Sequence, residues 1–111
     1  MTVSVRLNLS KLRRVIAGEQ AAIDRGARAY AQAVADLAEQ LAPFETGELR
    51  DSIHVEEGDR PGSYRVVASA PHAAFVEFGT HKMPAQPFLN PAAQRVRPLP
   101  FFAREIAELV R

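Results

Sequence analysis

The chain has 111 residues, 47% hydrophobic and 24% charged, with a formal net charge of +1 and no cysteine. That length supplies one modest core, so a single domain over residues 1–111 is expected, and the composition excludes wholesale disorder. The near-zero charge argues against a generic basic nucleic-acid binder, and the lack of cysteine excludes a disulfide scaffold, a thiolate metal site and a cysteine nucleophile. No apolar run approaches the ~20 residues that span a membrane, and the first residues carry no secretion signal. A soluble protein made in the cytoplasm is expected.

Val3, Val5, Leu7 and Leu9 share one parity with Ser4, Arg6 and Asn8 on the other, the pattern of a strand buried on one face. Its terminal place suits a sheet edge. A long helix follows, with Ser10 as its N-cap and a stripe of Leu12, Ile16, Ile23, Ala27, Tyr30, Val34, Leu37 and Leu41 at helical spacing. Pro43 ends it. From Ser10 to Ala42 it would run about 50 Å, more than a small globule needs. Gly18 and Gly26 either bend it or leave it to project and pack against another subunit.

Phe44-Glu45-Thr46-Gly47 then forms a loop in which Gly47 suits positive φ, and Glu48–Asp51 makes one helical turn. Two alternating stretches, Ser52–Glu56 and Tyr64–Ser69, pair as a hairpin across the polar connection Glu57–Ser63. Pro71 opens a short helix through Phe78 that Gly79-Thr80 closes. Met83-Pro84-Ala85-Gln86-Pro87-Phe88-Leu89 is apolar, and its prolines preclude a regular helix or central strand. Asn90 caps a last helical region that Pro98 and Pro100 break into Pro91–Arg97 and Leu99–Val110, the second burying Phe102, Ile106, Leu109 and Val110. The expected fold is α+β: a long N-terminal helix on a small antiparallel sheet of the N-terminal strand plus the hairpin, with a short helix and a broken C-terminal helix.

Reactive constellations are weak. His72, Glu77 and His81 lie five and four residues apart, unlike the two-histidine, one-turn spacing of a zinc-protease helix, and exposed histidines flanking a short helix are the favoured reading. Glu56-Glu57 reads as solvated charge beside a turn, and no glycine-rich phosphate loop is present. We therefore expect no enzyme, no cofactor and no metal. Arg13, Arg14, Arg25 and Arg28 share the long helix with Glu19, Asp24, Asp36 and Glu39, a mixed face better suited to solvent or protein contacts than to nucleic acid. A small nucleic-acid-binding accessory protein is the alternative, and a metal-dependent enzyme a more distant one.

The unusual feature is Phe75-Val76-Glu77-Phe78-Gly79-Thr80 followed by Met83–Leu89. Two readings stand: this segment packs into the chain's own core beneath the hairpin, or it forms a proline-stiffened arm that loses little entropy when laid across a partner.

Four ordered pieces carry a family likeness: the helix end Leu41-Ala42-Pro43 with Thr46-Gly47-Glu48-Leu49-Arg50-Asp51-Ser52-Ile53, a variable hairpin, His72-Ala73-Ala74-Phe75-Val76-Glu77-Phe78-Gly79-Thr80, and Met83-Pro84-Ala85-Gln86-Pro87-Phe88-Leu89-Asn90-Pro91-Ala92. Over about Leu9 to Ala93 the chain resembles the head–tail joining and tail-completion proteins of long-tailed bacteriophages and prophages, the gene-product-ten tail-component family. The resemblance implies a structural virion protein without catalysis at the head–tail junction or head-proximal tail end, either a tail terminator or a connector. It implies a homo-oligomeric ring, a hexamer, that meets neck, tail-tube and head-closure proteins while DNA passes through its channel without specific binding. Its place would be the virion, after synthesis in the bacterial host cytoplasm, with no membrane contact. A head-to-tail ring needs different surfaces on its two sides. We assign Phe75, Val76, Glu77, Phe78, Gly79, Thr80, Met83, Pro84, Ala85, Gln86, Pro87, Phe88 and Leu89 to one such interface and the long helix to another. Relatives end in an uninterrupted charged helix, so the break at Arg97-Pro98-Leu99-Pro100-Phe101-Phe102 departs from the pattern.

Overall fold

A computed structural model describes residues 2–7, 20–43, 47–59 and 63–102, of which 20–23, 99 and 102 by backbone alone. In chain order these form β1 (Val3–Arg6), α1 (Gln20–Leu41), α2 (Glu48–Asp51), β2 (Ile53–Glu57), β3 (Tyr64–Ala68), α3 (Ala73–Phe78), α4 (Leu89–Arg95) and a 3-10 turn, Leu99–Phe102. The α+β architecture is the expected one: a helix packed on a three-stranded antiparallel sheet, with shorter helices around it.

The strand order is β1-β3-β2, which puts the N-terminal strand at an edge and the second hairpin strand in the centre. Register follows the alternation of side chains. Val5 and Val55 both lie opposite Val66, and Val3 and Ile53 both lie opposite Ala68, so one face of all three strands is apolar. Cross-strand rows of β-branched residues are a stabilising unit of sheets. The other face carries Ser4, Arg6, His54, Glu56 and Arg65 around the buried Val67 of the central strand. His54 and Glu56 approach there to 3.3 Å with both side chains about half exposed, a contact that adds little stability.

Helix α1 covers the apolar face and also packs on α4 and the 3-10 turn. Its buried side chains are Ala27, Tyr30, Ala31, Val34, Ala35 and Ala38, with Ala42 just past its end also buried, at steps of three and four. Leu37 and Leu41 sit at the margin of the core, only partly buried. The stripe is thus rotated from the expected leucines toward the alanines, whose small side chains let a helix lie close to a sheet. The helix ends at Leu41, where Ala42 N–H makes a last bond to the Ala38 carbonyl at 2.9 Å and Pro43 has no N–H to continue. The proposed start of this helix, from Ser10 to Glu19, and with it Leu12, Ile16, Arg13 and Arg14, lies outside the described residues.

Gly47 adopts φ +84° at the head of α2, as the loop requires. In the hairpin, Gly58 N–H bonds the Ser63 carbonyl at 2.8 Å. The C-terminal region differs from expectation in its bounds. Helix α4 runs Leu89–Arg95 rather than Pro91–Arg97, because its first turn is capped from elsewhere in the chain, and Val96 then turns extended (φ −82°, ψ 124°). Leu99–Phe102 forms a single 3-10 turn. Phe101 packs on Tyr30 with ring centroids 5.9 Å apart. The remainder of the expected second piece, including Ile106, Leu109 and Val110, lies outside the described residues.

A polar cluster fastens α1 to the turn end of the hairpin. The Tyr64 hydroxyl donates to Asp24 Oδ1 at 2.7 Å, the Arg28 guanidinium lies over the Tyr64 ring at 5.7 Å, and Arg28 Nη2 reaches Glu57 Oε1 at 3.4 Å. Burial raises the Tyr64 hydroxyl above the ordinary tyrosine value, and the bond to Asp24 raises it further. Burial also raises Tyr30. Unfolded tyrosines ionise near pH 10, so above that pH the unfolded chain gives up these protons before the folded one does. Stability is therefore present below about pH 10 and falls as pH climbs toward the folded midpoints. Urea midpoints measured from pH 8 to pH 11 should decline above pH 10, and Tyr64→Phe should flatten the decline; an unchanged midpoint across that range would contradict the assignment.

Candidate interaction surface

The segment after β3 is held by two devices. The first is Gly79, which ends α3 at φ +76°, ψ 175°, a conformation that side chains other than hydrogen rarely tolerate. A Cβ there would come within 2.7 Å of the Ala85 nitrogen and 3.0 Å of the Met83 carbonyl oxygen. Glycine thus permits the chain to fold back on itself. Thr80 and Met83 exchange backbone bonds of 2.9 and 3.2 Å, and Gln86 N–H donates to the Val76 carbonyl at 2.8 Å. The arm is pinned alongside α3.

The second device is Glu77. Its side chain is buried, with 3% of the residue exposed. Oε1 accepts the Phe88 and Leu89 amides at 2.9 Å each, and Oε2 accepts the Asn90 amide at 3.2 Å and the Asn90 side-chain Nδ2 at 2.8 Å. Helix N-termini leave amides without intrahelical partners, and Phe88 at the N-cap offers no side-chain acceptor. One carboxylate from α3 fills that need for α4, with the favourable charge for a helix start. Asn90, expected as the cap itself, is instead a donor to the carboxylate that caps.

These two devices divide the thirteen residues singled out in the sequence. Phe88 and Leu89 are fully buried in the chain's own core, so the part of the arm that begins α4 is its anchor and offers no face to a partner. Glu77 is taken up by the amides it binds. Val76 and Gly79 are half-buried. Phe75 and Phe78 are 46% and 67% exposed, Met83 is 36% exposed, and Thr80, Pro84, Ala85, Gln86 and Pro87 are all exposed. An apolar surface thus stands on a backbone that internal bonds have already fixed.

Beside it lies a groove of about 540 Å³. Pro43, Gly47, Glu48 and Leu49 form one wall, His72, Phe75 and Val76 the other, with Thr80, Met83 and Gln86 of the arm closing it. The Gly47–Leu49 turn looked purely structural in sequence, and its part in this groove went unread because the wall opposite comes from more than twenty residues later. Among the described residues, no group of three His, Asp or Glu side chains converges as a metal site, and His72 and His81 are both exposed. No helix among them is long and apolar enough to cross a membrane.

Fold and surface define an α+β chain with a groove and exposed apolar side chains across α2, α3 and the arm. Over residues 5–79 the chain matches the family described as "Bacteriophage HK97-gp10, putative tail-component". The protein belongs to this family of phage tail components. The match covers the second half of β1, helices α1 to α3 and strands β2 and β3, and stops at Gly79, just before the arm. No curated protein and no solved structure matches the chain.

Glu77→Gln keeps the volume but turns an NH2 group toward donors of Asn90 or the α4 amides. We expect it to cost roughly 1–3 kcal/mol, read as a fall in Tm on the order of 10 °C with faster hydrogen exchange at Phe88 and Leu89. A Tm unchanged within a degree would deny the capping role. Phe88→Asp strands a charge in the core and should abolish the cooperative unfolding transition; a folded variant would mean that Phe88 is not the anchor.

Proposed function

We propose that this tail component acts at the head–tail junction or the head-proximal end of the tail, completing the tail or connecting it to the head. In this reading it works as a homo-oligomeric ring of six copies, meeting neck, tail-tube and head-closure proteins, with DNA passing through the channel and no sequence-specific contact to it. The role is structural: the one buried carboxylate of α3, Glu77, is engaged in holding backbone amides and has no free oxygen to offer to a reaction.

The observation that carries the reading is the exposure of Phe75, Phe78 and Met83 on a backbone held by Gly79 and Glu77. Contiguous apolar surface on a small protein marks an interaction site. Aromatic and methionine side chains are the types enriched at protein interfaces. A face already fixed by internal bonds loses little further freedom on docking, which favours association.

Phe78 is the most exposed of these side chains and adds little to the chain's own core. Phe78→Asp should leave far-UV circular dichroism unchanged and unfolding stability within about 0.5 kcal/mol of the parent, as surface changes do, while abolishing self-association in sedimentation velocity and incorporation into particles. A variant that assembles and incorporates like the parent would remove this face from the assembly.

A further inference from the structure

The sheet turns a polar face away from α1, and the charges on it are unevenly matched. A row of Arg6, Arg65 and Glu56 crosses the three strands, with Arg6 and Glu56 directly opposite Arg65 on its two sides. Side chains paired in this way leave the sheet about 5 Å apart, and like charges so placed repel. Glu56 is the acid positioned to neutralise Arg65, yet its carboxylate turns along its own strand to His54 Nε2 at 3.3 Å. Among the described residues, neither Arg6 nor Arg65 has an ion pair or a side-chain hydrogen bond. Arg65 Nε is moreover shielded from water with no acceptor, and a shielded donor left unpaired costs stability. Arg6 is exposed and Arg65 half-buried, beside the buried Val67 at the centre of the same face.

We propose that Arg6 and Arg65 form a carboxylate-binding site, through which the outer face of the sheet docks an acidic segment of a neighbouring virion protein. A carboxylate between the two guanidinium groups gives Arg65 Nε the acceptor it lacks and offsets the repulsion across the strands. The planar fork of arginine matches a carboxylate in two parallel, charge-assisted bonds. The chemistry favours protein over nucleic acid. The site is two cations wide and is bounded by Glu56 in the same row, with Glu57 and Asp59 exposed just beyond it in the chain. A duplex carries a charge about every 1.7 Å and would meet those carboxylates, whereas one aspartate or glutamate side chain needs only the arginine pair. Opposed charges of this kind set orientation at an interface. The site shares no residue with the groove, so it goes beyond the ring reading and does not depend on contacts between copies.

The test titrates the full, isotopically labelled chain with a hexaglutamate peptide at low salt and follows the arginine side chains by NMR. The Nε–H resonances of Arg6 and Arg65 should shift saturably, and hexaglutamine should leave them in place. Arg6→Gln and Arg65→Gln should each weaken binding by about tenfold, the loss of one charge-assisted pair. Arg65→Lys should weaken it as well, because an ammonium lacks the fork. Without peptide, Arg6→Gln should hold or slightly raise Tm, since it removes a repulsion and breaks no bond. Arg6 is exposed, so that variant decides the matter even where a change at Arg65 disturbs folding. A lowered Tm for Arg6→Gln would give the pair a structural role and overturn the site. So would resonances that ignore hexaglutamate, an equal response to hexaglutamine, or equal affinity for inorganic phosphate. Tighter binding of a DNA duplex through the same two arginines would overturn it in favour of nucleic acid. None of these outcomes bears on Phe78→Asp, which tests the assembly face separately.

Discussion

The Glu77 carboxylate is the tie on which the shape of the exposed apolar face depends. Four donors converge on its two oxygens, three of them backbone amides at the start of α4. Without them, α4 would begin with a phenylalanine at its N-cap and no acceptor for its buried amides, a cost of roughly 1–3 kcal/mol for each group left unpaired. With them, α3 and α4 are locked together, and the chain between them has both ends fixed. Its lower end is driven into the core by Phe88 and Leu89; its upper end is turned by Gly79 and closed by the Thr80–Met83 pair. What is left outside is a short, proline-stiffened loop whose apolar side chains have no place in the core.

This division resolves the apparent surplus of apolar residues after β3. Part of it is core and part is surface, and the boundary falls between Pro87 and Phe88. Composition shows the two halves as one greasy run. The distinction arises from three-dimensional closure: once Glu77 holds the α4 amides, the residues at that turn must point inward, and those before it must go around.

The local features were legible in the sequence. The alternation of Val3 and Val5 placed β1, the polar connection placed the hairpin, and Gly47 and Gly79 marked the turns at which the backbone takes positive φ. Each of these signals lies within a few residues of what it controls. Glu77 was not legible, because its partners lie 11 to 13 residues away, and in sequence it reads as part of an interface. Asn90 offered an ordinary cap for a helix starting at Pro91, so nothing nearby signalled that the cap comes from α3. The helix stripe was misplaced toward Leu37 and Leu41 for a related reason: periodicity identifies a face, whereas the close approach of the sheet, which selects alanines, is set by tertiary packing. The groove wall of Gly47–Leu49 was likewise hidden, since its opposite wall comes from another part of the chain.

A cryo-EM map of the tail and neck of a particle assembled with this chain tests the central claim most directly. The account predicts copies arranged in a ring around the DNA channel, with Phe75, Phe78 and Met83 covered by a neighbouring subunit. A map in which those residues face solvent in every copy, or in which the chain contributes a single copy, would contradict it.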